Sequence, residues 1–216
     1  MNLYNGNSNI LYFSQYPNIH IKNKSTAQKS VTLSFDDGPS EHLERILTIL
    51  KNERIPAMFF FQGNQIQTHN PLQKVLEYGH EIGSHSSNHI ALSSLSKEEQ
   101  YKEIKDSIET IESQTNRRVR YFRPPYGDFN EDTLQIAEKL NIQVVMWRIA
   151  SLDWELEQDP PQIITNVIQH LEDKAIILRH EFQQTVHILP KLIEEIRKSG
   201  YTFSLLEEER GLYGDY

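Results

Sequence analysis

Two carboxylates stand side by side in VTLSFDDGPS, residues 31–40, at Asp36 and Asp37, and a Gly-Pro break follows them directly. Asp, Gly and Pro are ordinary turn residues, so a strand running into a loop accounts for the segment, but a turn uses one Asp and not two. Neighbouring carboxylates repel, and the second asks for a cation or a proton close by. HEIGSHSSNH, residues 80–89, offers a partner for such a cation: His85 and His89 lie four apart. On a helical turn that spacing puts two imidazoles on one face about 5–6 Å apart, within reach of one metal ion at about 2.0–2.1 Å. The chain has nine His and no Cys, so thiolate sites, disulfides and cysteine nucleophiles are excluded, and any metal falls to His and carboxylate.

Three further segments carry reactive groups. RYFRPPYG, residues 120–127, contains Arg123 and a stiff Pro-Pro-Tyr-Gly turn with Tyr126. VVMWRIASLDWE, residues 144–155, contains Asp153 and Trp154. AIILRHE, residues 175–181, ends on His180 and Glu181. Taken singly these read as a surface loop, a core Trp beside a capping Asp, and a structural His.

Elements that could bring them together are legible from Val31 onward. Strands are expected at 31–35, 57–61, 81–84, 119–122, 143–148, 175–179 and 201–205. Helices are expected at about 41–53, 70–78, 97–112, 130–140, 161–172 and 186–198. Ser96 caps the third helix, with Glu98 and Glu99 in its first turn and Ile104, Ile108 and Ile111 at helical spacing. Pro160 and Pro161 open the fifth, where a missing N–H costs nothing, and Gly200 stops the last. Strands alternating with helices imply an α/β fold with a parallel sheet, open or closed into a barrel, whose reactive groups gather at the carboxyl ends of the strands. All five segments above end a strand.

The 216 residues, 38% of them hydrophobic and 24% charged, suit one domain with a substantial core. Residues 1–30 are rich in Asn, Ser, Gln and Tyr and read as an extended lead-in, residues 31–206 as the regular, folded part, and residues 207–216 as a tail. A net charge of −8 without a basic run argues against nucleic acid and against an anionic membrane surface. A basic leader and a span of membrane length are not legible in the sequence; read literally it is a cytoplasmic monomer, and a trimmed N-terminus would instead suit a secreted or cell-wall protein.

The order FDDGP, HSSNH, RPPYG, SLDW and LRH resembles the five motifs of the polysaccharide deacetylases, the NodB-homology carbohydrate esterases of family 4. The resemblance covers residues 31–206 and implies a distorted, incomplete (β/α) barrel of about seven parallel strands. It implies a divalent metal, zinc first, with cobalt, nickel or manganese able to fill the same site, held by Asp37, His85 and His89. By motif position Asp36 is the catalytic base, Arg123 orients it, His180 is the acid, and Asp153 tunes that acid. The Tyr126 backbone N–H is the oxyanion donor, Tyr126 also borders the substrate, and Trp154 is an apolar wall. The implied reaction is removal of N-acetyl groups from N-acetylhexosamine glycans, chitin-type or peptidoglycan, with release of acetate. Hydrolysis of small amides or cyclic imides on the same fold is the alternative, and an inactive glycan-binding barrel a remote one. The chain departs from the motifs at Ala150, where many members have Asp, and at Glu181, where Asp is common. Arg148 and Arg179 add positive charge, and pairing with Glu155 and Glu181 is favoured over contact with an anionic sugar substituent.

Overall fold

A computed structural model describes residues 10–24, 29–67, 71–207 of the chain. Eight strands and six helices alternate among the described residues: β1 Ser30–Gly38, α1 Leu43–Glu53, β2 Met58–Phe61, α2 Leu72–Glu77, β3 Glu81–Ser84, α3 Lys97–Thr115, β4 Tyr121–Phe122, α4 Glu131–Lys139, β5 Gln143–Val144, β6 Ile149–Ala150, α5 Pro160–Ile168, β7 Ile176–His180, α6 Gln183–Lys198 and β8 Thr202–Phe203. The strands pair in parallel in the order β5-β4-β3-β2-β1-β7-β6, and β8 joins the start of β1. This is the curled, incomplete barrel expected from the sequence.

Register partners in a parallel sheet share a face, and successive residues alternate faces. Ser34 pairs with Met58 and Asp36 with Phe60, so these four look into the barrel. Met58, Phe60, Tyr121, Val145 and Ile176 form a small apolar plug there. Leu33, Phe35, Phe59, Phe61 and Ile177 belong to the larger cluster under the helices. Ser96 and Glu99 form a reciprocal capping box at the start of α3, and Ile104, Ile108 and Ile111 are buried on its inner face, as expected. Asn130 and Thr133 do the same for α4. Gly200, at φ 82°, follows the end of α6 as a stop.

The barrel fails to close between β5 and β6. A single strand over 143–148 was expected; instead the chain parts after Val144, because residue 20 inserts beside it, accepting from the Met146 N–H (2.8 Å) and donating to the Val144 carbonyl (3.0 Å). Residues 10–23 thus form a strap across the gap. It bridges Leu11 to Ile149, His20 to Val145 and Lys22 to Ala175. The expected lead-in of residues 1–30 is therefore stitched to the domain over this span, while residues 1–9 and 25–28 of it, residues 68–70 beside α2, and 208–216 of the expected tail lie outside the described residues.

Other boundaries moved for local reasons. α5 stops at Ile168, not 172, and Glu172 turns away to pair with Arg148 and with Lys22 (2.8 Å). α6 starts three residues early because its polar first turn is anchored: Thr185 donates to the Asp153 carboxylate (2.7 Å) and Gln184 to the Asp153 carbonyl (2.9 Å). No described helix is long and apolar enough to cross a membrane.

Candidate active site

Asp36 and Asp37 reach the same cleft through a break in register. Asp36 pairs with Phe60 of β2, yet Gly38 pairs with the next residue, Phe61, so Asp37 is an extra residue in β1. Its φ of 68° turns it out of the strand. In an unbroken strand Asp37 would share the face of Phe35 and meet the helices; the bulge re-aims it beside Asp36. Ser86, His89, Tyr126 and Leu152 also adopt left-handed φ, between 56° and 63°, so the segments lining the cleft hold costly backbone conformations that the surrounding packing enforces.

The two imidazoles converge without a helix. His85 follows β3 directly, its N–H bonded to the Phe61 carbonyl (2.8 Å), and the left-handed turns at Ser86 and His89 bring the second ring back. The helical turn expected from the i, i+4 spacing is therefore a loop, although the rings end 5.0 Å apart. Asp37 Oδ1 lies 3.0 Å from His89 Nε2 and 3.5 Å from His85 Nε2. One ligand atom from each of the three residues lies within 4.8 Å of the others. His85 Nδ1 contacts the Arg123 carbonyl at 2.7 Å, which makes Nδ1 the protonated nitrogen and leaves Nε2 a free lone pair toward Asp37. Two imidazole nitrogens and a carboxylate, with no thiolate near, fit a borderline divalent ion such as zinc. Burial pushes the Asp37 carboxyl up, but the His89 hydrogen bond and electrostatic attraction to the surrounding histidines overcome it and hold the group well below the usual carboxylate range.

Arg123 is fully buried and spends its fork on fixed acceptors: Asp36 Oδ1 (2.6 Å), Ser34 Oγ (2.9 Å) and the carbonyls of Val145 (3.0 Å) and Met146 (2.8 Å). Its guanidinium lies over the Phe60 ring at 4.1 Å, on top of the inner plug. Burial lowers its pKa, and Asp36 opposes that shift.

His180 is the register partner of Asp36 across β1 and β7. Its Nδ1 is 2.8 Å from Asp153 Oδ1, and Asp153 Oδ2 accepts both the His180 N–H (2.8 Å) and the Thr185 hydroxyl. Burial pulls the imidazolium down, yet the fully buried Asp153 carboxylate outweighs it, so the His180 pKa is pushed up to about 9. The Phe182 ring stacks on His180 at 5.2 Å, and the Trp154 ring meets it edge-on at the same distance.

Asp36, Asp37, His85, His89, His180 and Phe182 line a cleft of about 400 Å³, with Arg123 and Asp153 buried behind it. Tyr126 and Trp154 stand at it largely exposed, 64% and 42%. The Tyr126 ring packs on His89 at 4.5 Å, and the Tyr126 N–H has no acceptor among the described residues. Trp147 and Leu178 complete the apolar wall, and Tyr12 of the strap supports Trp147 at 5.4 Å.

The two additional arginines do not pair as expected. Arg148 bonds Glu172 and the Tyr12 carbonyl (2.9 Å), with its guanidinium over Phe13; it belongs to the strap and not to the cleft. Arg179, one residue out of phase with His180, points to the helix face over Phe35 at 4.7 Å and has no hydrogen-bond partner among the described residues. Glu181 instead accepts from the Ser40 N–H (2.8 Å), tying β7 to the turn after β1, and burial pushes its pKa up to about 7. Ala150 is buried in β6.

Sequence reading missed Ser34, Gln62 and Phe182. Ser34 was findable, since strand alternation places it on the face of Asp36. Gln62, which donates to Asp37 Oδ1 at 2.9 Å, has no motif to announce it.

The fold and these strand-end groups can be set beside known proteins. A family model described as polysaccharide deacetylase matches residues 23–145. A peptidoglycan N-acetylglucosamine deacetylase of Listeria monocytogenes is 31% identical over 195 residues, covering 89% of this chain and 40% of that protein. One of Bacillus cereus is 31% identical over 196 residues, covering 84% and 88%. The chain spans about half or less of the length of the first curated relatives it matches. Among solved structures, a family 4 carbohydrate esterase pseudoenzyme from Bacillus anthracis superposes with a TM-score of 0.77 at 28% identity, over 82% of this chain and 63% of that one. The match spans more than half of the sequence and takes in the segments that build the double-aspartate bulge, the histidine loop and the Arg123 strand end, and the chain belongs to the polysaccharide deacetylase family.

Proposed function

We propose that this protein is a metal-dependent hydrolase that removes N-acetyl groups from N-acetylhexosamine glycans, releasing acetate and leaving a free amine. The domain that does so spans 31–206, braced by the strap. The observation that carries the reading is the opposition of Asp36 and His180 across one register step, with the Asp37, His85 and His89 cluster beside them.

A divalent ion held by Asp37, His85 and His89 supplies Lewis-acid polarisation of the acetamide carbonyl and a more acidic water. Asp36, oriented by Arg123, takes a proton from the water as its oxygen bonds to the acetamide carbon. The Tyr126 N–H donates to the carbonyl oxygen as charge builds there, a contribution on the order of 3 kcal/mol for one preorganised donor. His180, kept charged by Asp153, gives its proton to the amide nitrogen, so that the C–N bond breaks to a neutral amine. Trp147, Leu178 and Trp154 provide an apolar wall for the acetyl methyl, and the exposed faces of Tyr126 and Trp154 suit sugar rings.

Peptidoglycan is the favoured glycan, because the Listeria monocytogenes and Bacillus cereus relatives carry that substrate in their names. Acetate release from purified peptidoglycan and from N-acetylglucosamine oligomers, with zinc, cobalt, nickel or manganese added back in turn, tests the reading against small amides and cyclic imides. Turnover confined to the small amides would replace it with the second class. The family likeness to a pseudoenzyme gives an inactive binding barrel a specific basis; glycan binding without acetate release under any metal would establish it.

A further inference from the structure

Gln62 follows β2 at the point where β1 bulges. Its backbone N–H donates to the Gly38 carbonyl (2.9 Å), and its side chain, 8% exposed as a residue, donates to Asp37 Oδ1 at 2.9 Å. A carboxylate oxygen only accepts, so the group facing it is the Gln62 NH₂. Oδ1 is also the oxygen that both His89 Nε2 and His85 Nε2 approach. An oxygen with two lone pairs can take the amide proton on one and a cation on the other. The residues after Gln62 hold it in place: Gly63 and Asn64 donate their N–H groups to the carbonyls of Ser86 and Ser87 (both 3.0 Å), inside the loop that carries the two histidines. A Cβ on Gly63 would come within 3.0 Å of the Ser107 backbone, so the turn fits closely against α3.

We infer that Gln62 is a positioning residue for the metal centre: its amide fixes the Asp37 carboxylate with Oδ1 toward the two histidines, and so raises affinity for a divalent cation. Asp37 needs that support more than a strand residue would, because the bulge frees its backbone from the regular ladder on that side. The histidines are unequal in this respect too. His85 is oriented by the Arg123 carbonyl, whereas the ring of His89 rests on Tyr126. Asp37 and His85 therefore form the stiffened part of the site, each by one outer hydrogen bond.

The inference rests on the metal reading of Asp37, His85 and His89. Backbone and side-chain contacts of Gln62 are separable, since the N–H to Gly38 survives any substitution except proline. Zinc titration by calorimetry into the metal-free protein is the test, comparing wild type with Gln62→Leu and with Gln62→Met, which fills similar volume. Loss of an outer-shell hydrogen bond weakens metal affinity by about 10–100-fold. The expected result is a dissociation constant raised about tenfold or more in both variants and faster zinc loss to a chelator, with each metal-free variant still folded at the temperature of the titration. Wild-type zinc affinity in both variants overturns the inference and leaves the metal site standing. Absence of zinc binding by the wild type overturns the metal reading itself, and this inference with it.

Discussion

Asp36 and His180 are register partners on adjacent parallel strands, each pinned from behind by a buried group of opposite charge: Arg123 at 2.6 Å for the first, Asp153 at 2.8 Å for the second. A scissile amide lying across the two strands would meet a proton acceptor on one side and a donor on the other.

Asp153→Asn keeps the shape behind His180 and removes the charge. The His180 pKa stands above its ordinary value because of Asp153, so the alkaline limb of the turnover profile should lie near pH 9 in the wild type and fall toward the ordinary histidine value in the variant. The sign for stability is the same: protonation of His180 favours the folded chain below about pH 6.5, and the contribution is lost as pH rises through about 9. Rate profiles and melts at the two ends of that window check both statements.

Arg123→Met should unfold more easily than its lost packing explains, because it leaves Asp36, 2% exposed, without its cation. Breaking a buried pair from one side costs about 3–5 kcal/mol. Adding Asp36→Asn should return part of that loss, with a coupling of about 1–3 kcal/mol in a urea double-mutant cycle. Strict additivity would show that the pair contributes nothing.

Tyr126→Gly separates the ring from the backbone. The left-handed φ of 58° suits glycine, so the metal-free protein should gain up to about 1 kcal/mol in stability. The N–H stays, so kcat should hold while loss of the ring beside His89 raises KM for glycan oligomers.

His80 sets acid tolerance. It is 4% exposed, accepts the Ala57 N–H at its Nδ1 (3.2 Å) and packs edge-on to Phe59, and burial pushes its pKa down to about 4. The unfolded chain binds the proton first, so stability should drop by about 3 kcal/mol as pH falls from 6.5 to 4. His80→Gln should be less stable at neutral pH yet lose less across that interval in denaturant titrations.

The architecture was legible because β2 and β7 open on continuous apolar runs, β1 alternates apolar residues with Thr32 and Ser34, and α3 carries its own cap, features that depend on neighbours within a few residues. The same holds for the strand-end placement of Asp36, His85, Arg123, Asp153 and His180. What escaped was set by contacts far apart in sequence. The insertion of His20 beside Val144 splits an expected strand, and Glu172 leaves its expected helix for Arg148. The His85 and His89 spacing pointed to a shared ligand site through the wrong local structure, a helical turn where two left-handed residues do the work. Pairing of Arg179 with Glu181 is the expectation from sequence, yet Arg179 lies over Phe35 without a hydrogen-bond partner among the described residues while Glu181 turns to the Ser40 N–H.

The central claim is that the bulge gives two adjacent aspartates separate tasks. Asp36→Asn and Asp37→Asn should be compared for zinc affinity and for acetate release from an N-acetylglucosamine oligomer under the same conditions. The account predicts that Asp36→Asn binds zinc as the wild type does and loses about 10²–10⁴-fold in turnover, while Asp37→Asn loses zinc and turnover together. Wild-type turnover in Asp36→Asn, or an equal loss of zinc in the two variants, would contradict it.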